Sequence, residues 1–236
     1  AQLNSFRWGL DNRINVCTNF SGGLIQRPDV KNSKPVTVRN RGFSFDPRTL
    51  HHEAVSGGGQ HGLTIDDWGR EFRCRNSDPF KFLVYDERYL ARNPWLTAPP
   101  PSVNILETGK FTQLFRISPD EPWRVMRTRM RTEKLYAGSN EGGTPSGFFT
   151  SATGVTIYRG DAWPAKFRGT GFVGEVANNL IFRAKFEPDG VNLIARRADS
   201  DREFLASKDN WFRPVQFANG PDGNLYVVDM YRALIE

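Results

Sequence analysis

The stretch that most constrains the fold is Asp209 to Asp229, DNWFRPVQFANGPDGNLYVVD. It makes a Pro-Asp-Gly turn and runs into Leu225-Tyr226-Val227-Val228, which has the β-branched and aromatic content of a strand. Weaker copies of this turn-then-strand unit occur upstream. Leu10-Asp11-Asn12-Arg13-Ile14-Asn15-Val16 aligns with Pro221-Asp222-Gly223-Asn224-Leu225-Tyr226-Val227, and Asp67-Trp68-Gly69 leads into Phe72-Arg73-Cys74. Each copy has an Asp that caps a turn, a residue tolerant of positive φ, and a strand. Asp11, Asp67 and Asp222 are read as the caps. A repeating unit that cannot bury its own face must stack on its neighbours.

Gly69 lies 57 residues after Asn12, and Gly223 lies 154 after Gly69. One interval followed by about three fits a blade of roughly 45–55 residues. Between the copies, the chain reads as short strands and turns. Phe6 to Val16 is strand, turn, strand, and Val36 to Phe45 is a strand pair. Leu63-Thr64-Ile65 is a strand, Phe111 to Ile117 another, and Thr132 to Gly147 a polar loop. Pro122 to Arg131 alternates, which predicts a strand with Arg127, Arg129 and Arg131 on one face. That face suits an acidic partner, a sulfated or uronic sugar, a haem propionate or, more simply, solvent. Arg92 to Val103, with four prolines, is an extended crossing. Gly154 to Tyr158, Gly171 to Val173, and Leu180 to Phe186 with Val191 to Ala195 complete the pattern. The fold expected is all-β: a propeller of the six-bladed type, of which residues 1–236 form about four to five blades as a single region of a longer chain.

Composition narrows the function classes. Hydrophobic residues are 38% and charged residues 25%, the balance of a soluble globular chain. No apolar run approaches the ~18 residues of a membrane helix. The net charge of +6 comes from scattered arginines rather than a lysine block, which argues against a nucleic-acid tail. Ala1-Gln2-Leu3 begins in folded-looking sequence with no leader, as expected of a mature or excised piece or of a cytosolic protein. Cys17 and Cys74 allow one disulfide or two buried thiols, and neither stands in a Cys-x-x-Cys pair.

Candidate site residues are few. Trp211 and Arg213 are two apart on a segment read as extended, so they share a face where an indole and a guanidinium can hold a planar anion. Their other reading is a structural stack. His61 and Gln60 follow Gly57-Gly58-Gly59; His61 is a candidate proton acceptor, because imidazole titrates near neutrality, or a solvated loop residue. Asp66-Asp67 and Asp199 to Asp201 offer oxygens for calcium, but turn capping explains them more simply. No metal ligands are assigned.

The segments GVTIYRGD, FVG, NLIFR and NWFRPVQFANGPDGNLYVVD resemble, in order, the late blades of soluble quinoprotein glucose and sorbosone dehydrogenases. A closer likeness covers nearly the whole chain. FSFDPRTL, VSGGGQ, DDWGREF, YLARNPW, FRISPDEPWRV, ARRADSDREFLAS and VVDMYRALIE are similar to the membrane-bound dehydrogenase propeller domain of PVC-type haem-binding proteins. The resemblance implies an exported, periplasmic or extracellular propeller that oxidises a sugar or aldehyde. It implies pyrroloquinoline quinone and calcium as cofactors, and electrons passed to a cytochrome c whose haem sits on a partner or on another part of the chain. Remaining blades or another subunit would close the ring. Of two quinone-binding arginines, one matches Arg213 and the other falls on Trp211; the quinone-contacting lysine falls on Ala177, and the catalytic histidine near Gly58, three residues before His61. The alternative is a non-catalytic carbohydrate- or protein-binding propeller module.

Overall fold

A computed structural model describes residues 2–109, 112–138 and 143–234. The chain builds antiparallel sheets one after another. The first contains β1 (Asn4–Trp8), β2 (Ile14–Cys17), β5 (Gly42–Phe45) and β6 (His52–Val55), with a two-stranded arm of β3 (Leu24–Ile25) and β4 (Val36–Thr37) inserted after β2. The second runs β7 (Leu63–Ile65), β8 (Glu71–Arg75), β9 (Asp78–Leu83), β10 (Ser102–Asn104), with a short helix α1 (Glu87–Leu90) before β10. After α2 (Pro122–Thr132), the third runs β11 (Ala152–Ile157), β12 (Gly171–Glu175), β13 (Leu180–Asp189), β14 (Asn192–Arg197), with β15 (Leu205–Ala206) on the start of β13. The fourth is the hairpin β16 (Pro214–Asn219) and β17 (Leu225–Asp229).

The first strand of each sheet faces a common axis. Asn4 Nδ2 donates to Gln60 O ahead of β7 at 2.8 Å, and Gly154 N of β11 donates to His61 O at 3.0 Å. Thr153 Oγ1 donates to Val215 O of β16 at 3.2 Å, and Arg7 Nη2 returns from β1 to Phe217 O at 3.3 Å. Meandering sheets arranged radially in this way are the blades of a β-propeller. Three four-stranded blades and the two inner strands of a fourth are present among the described residues.

Apolar side chains fill the gaps between blades. Phe72, Phe80 and Phe82 of the second blade meet Val155, Val173 and Phe182 of the third. Tyr158, Phe172 and Ile181 of the third meet Phe217 of the fourth, with Trp163 and Phe204 alongside. Each such aromatic contributes about 1.5–3 kcal/mol by leaving water. Cys17 and Cys74 are buried free thiols, and burial pushes the Cys17 thiol up to about 11.

The repeated turn is visible in the backbone. Asn12, Gly69 and Gly223 have φ of 61°, 78° and 78°. Asp11 Oδ1 accepts Arg13 N at 3.1 Å and Asp222 Oδ1 accepts Asn224 N at 3.1 Å, as the alignment requires. In the second blade the cap is Asp66, not Asp67: its Oδ1 accepts Trp68 N at 3.0 Å and Arg70 N at 2.9 Å, while Asp67 pairs with Arg159 at 2.5 Å. The 154-residue interval holds two blade steps rather than three, because the described residues between β10 and β11 contain α2 and no blade.

That insertion contains the main departure from the sequence reading. Pro122 to Thr132 is a helix, not an alternating strand. Pro122 occupies the first helical turn, where its missing N–H costs nothing, and Arg and Met are good helix formers. At a helical period Arg124, Arg127, Thr128 and Arg131 share one face, while Arg129 lies on another and pairs with Glu133 at 2.9 Å. Residues 112–117 form no strand, only a bridge between Gln113 and Phe148; Phe111, assigned to a strand from sequence, lies outside the described residues, as do 139–142 of the polar loop.

Blade packing leaves no room for a side chain at Gly174, where an added Cβ would stand 2.1 Å from Pro214 O of the next blade. Gly174→Ala is expected to destabilise the chain by about 1–3 kcal/mol through overpacking. Chemical denaturation of the variant checks this, and an unchanged midpoint would contradict the close approach of blades three and four.

Candidate functional site

The four inner strands begin at the end of the axis where α2 lies. Between strands and helix is a cavity of about 610 Å³. Its wall contains Asn4 and Ser5 of β1, Gln60 and His61 ahead of β7, Thr150 to Thr153 at the start of β11, and Gln216 of β16. Arg127 and Arg131 enter it from α2. The lining holds two guanidiniums, an imidazole, amides and hydroxyls. Such a wall favours an anionic or hydroxyl-rich ligand.

The helix is fixed at its base by Glu121, which is nearly buried. Its carboxylate receives Arg116 Nη2 at 2.9 Å and Arg213 Nη2 at 3.1 Å, with Arg124 Nε at 3.4 Å. Burial alone would raise the Glu121 carboxyl; the hydrogen bond from Arg116 and the charges of Arg116 and Arg124 outweigh it and hold the carboxyl below its usual range. Arg116 also reaches Ser118 Oγ at 2.6 Å and Ala177 O at 3.3 Å, so the hub ties α2 to the third blade.

Arg213 belongs to this hub and not to the cavity lining, contrary to the sequence reading. It is fully buried, with Nη1 donating to Val176 O at 2.6 Å, Nη2 to Ala233 O at 2.7 Å and Nε to Arg232 O at 3.1 Å. Its donors are spent on protein oxygens. Trp211 shares no face with it, because the segment is a turn rather than extended: Phe212 N donates to Asp209 O at 3.1 Å. Trp211 is 49% exposed and lies against Tyr231, ring centroids 5.6 Å apart. Gln60 and His61 do come together in the cavity wall. Partial burial lowers the His61 pKa, which favours the neutral imidazole at pH 7. Position 58 cannot carry a side chain as packed, since a Cβ there would be 2.8 Å from Asn40 O. Ala177 is fully buried.

Behind the wall, Glu175 is fully buried at the end of β12. Its carboxylate accepts Ser151 N at 2.9 Å, Thr150 N at 3.2 Å and Ala177 N at 3.2 Å. It thus shapes the Thr150–Ser151 rim from inside. Among the described residues, no group of three His, Cys, Asp or Glu side chains is placed to hold a metal ion. Asp199 is instead paired with Arg183 at 2.8 Å.

Comparison with known proteins adds a family and no activity. Residues 1–236 match the family described as Domain of unknown function (DUF7133). The chain belongs to that family. No curated protein matches the sequence. Among solved structures, it is similar to a soluble aldose sugar dehydrogenase from Escherichia coli in its apo form, at 12% identity and a TM-score of 0.48, over 97% of this chain and 60% of that one. It is also similar to a glucose dehydrogenase at 14% identity and TM-score 0.43, covering 96% of this chain and 79% of that one. The chain therefore spans 60% of the length of the aldose sugar dehydrogenase it matches.

Burial raises the Glu175 carboxyl to about 7 against an ordinary value of 4.5, with the three backbone N–H groups and Arg124 opposing. A carboxyl whose pKa is higher in the folded chain stabilises that chain when protonated. Its contribution is full below the unfolded value and is lost as pH rises through the folded one, here roughly 3 kcal/mol between about pH 4.5 and 7. Urea midpoints measured across that range should fall with rising pH, and Glu175→Gln should remove the slope whatever its absolute stability. A slope unchanged in the variant would assign the titration elsewhere.

Proposed function

We propose that this chain is the ligand-binding propeller of an exported, dehydrogenase-type protein whose axial cavity under α2 takes a flat polycarboxylate cofactor of the quinone class beside a sugar or aldehyde. The observation that carries this is the cavity wall itself: Arg127 and Arg131 from α2 and His61 and Gln60 from the strand side converge on one axial space of about 610 Å³. Arg127 and Arg131 would hold the cofactor carboxylates, and Gln60 would orient it from the strand side. Calcium fits less well, because the oxygens that the described wall residues offer are those of amides and hydroxyls. When bound, such a quinone supplies a two-electron oxidant. His61, held neutral, is placed to accept the proton of a substrate hydroxyl. A cytochrome c, attached or separate, would take the electrons onward. Two further strands, from more of the same chain or another subunit, would complete the fourth blade beside the exposed edge of β17.

A second reading is favoured by Gly58 and Ala177. The resemblance places a base and a lysine at these positions, where the chain has a glycine with no room for a Cβ and a fully buried alanine. The propeller is then a non-catalytic module that binds carbohydrate or protein through the same cavity.

Mixing the protein with pyrroloquinoline quinone and calcium, then assaying aldose oxidation with an artificial acceptor, separates the readings. The enzyme reading expects a bound-quinone spectrum and turnover. It also expects quinone affinity to fall at least about tenfold in R127Q/R131Q, and turnover to fall on the order of 10²–10⁴-fold in H61A with binding retained. Binding without turnover would leave the module reading. Absence of binding would remove the quinone.

A further inference from the structure

The axis has a second mouth, at the far ends of the inner strands, and it is built differently. A cavity of about 260 Å³ lies there between Arg7 and Trp8 of β1, Thr64 to Asp66 at the end of β7, and Phe217 to Asn219 of β16. It shares no lining residue with the cavity under α2. We propose that this mouth is a subsite for one acidic sugar unit, with the ring against Trp8 and the carboxylate on Arg7.

The charge balance of the wall argues for an acid. Asp66 is its one carboxylate and is already committed, to Trp68 N, Arg70 N and Arg70 Nε at 3.0, 2.9 and 2.7 Å. Arg159, also in the wall, is neutralised by Asp67 at 2.5 Å. Arg7 is half-buried, and its guanidinium donates only to the carbonyls of Phe6 and Phe217, at 3.2 and 3.3 Å. Among the described residues, no carboxylate pairs with it. A guanidinium removed from water without a counter-ion is costly, and an incoming carboxylate relieves that cost through a charge-assisted bond. The indole argues for a ring. Trp8 contributes to the lining of the same cavity and is 62% exposed, which leaves a flat apolar surface open to a ligand. The volume suits a single saccharide rather than a larger ligand.

The test titrates the intact chain with glucuronate, with glucose and with inorganic sulfate, followed by calorimetry and tryptophan fluorescence. Glucuronate should bind at least about tenfold tighter than either glucose or sulfate, with an affinity that falls as salt is added. R7Q should weaken it at least about tenfold, and W8A, a change at an exposed position that spares the fold, should do the same. R129Q, a change at an exposed position on α2 outside both cavities, should leave it unchanged. Equal affinity for glucose, or for sulfate alone, would overturn the acidic-sugar assignment. Loss in R131Q but not in W8A would place the ligand in the other cavity and overturn the site.

Discussion

One carboxylate carries much of the functional end of this molecule. Glu121 stands at the base of α2 with three arginines around it, in a region where water reaches little of the group. Breaking one member of a buried ionic set leaves uncompensated charge and typically costs about 3–5 kcal/mol. The arrangement therefore tolerates little rearrangement. It fixes where the helix starts, and the helical period then fixes where Arg127 and Arg131 point. The cavity is less a property of the propeller than of an insertion pinned onto it.

The blades supply the rest of the wall by a simpler rule. Each inner strand begins at the same end of the axis, so the residues just before and at each strand start collect there. Asn4, His61, Ser151 and Gln216 are far apart in sequence and meet only because four sheets share one axis. The strand ends collect at the opposite mouth for the same reason, bringing Arg7, Asp66 and Asn219 together. The same four strands thus line two cavities of different composition.

Much of this was legible in the chain. The turn unit shows itself in residue types, and the positive φ of Asn12, Gly69 and Gly223 is the physical reason those residues recur. Strand identities followed from β-branched and aromatic runs. Two errors have a common cause: local pattern cannot see insertions. Pro122 to Arg131 alternates by side-chain type, yet its burial follows a helical period, with Arg124 and Thr128 inside and Met126 outside. The same insertion lengthens the interval between Gly69 and Gly223. Arg213 was a reasonable candidate by resemblance, but a lone arginine in sequence does not reveal whether its donors face a ligand or the protein's own carbonyls.

Hydrogen exchange of the α2 amides tests the central claim most directly, because docking of this helix through Glu121 is what creates the cavity. The amides from Val125 to Thr132 should exchange only through an opening comparable to that of β11 to β13, giving protection of the same order as the blade core. Exchange of those amides at the rate of the exposed loops, while the blades stay protected, would mean that the helix is not held over the axis and that no such cavity persists.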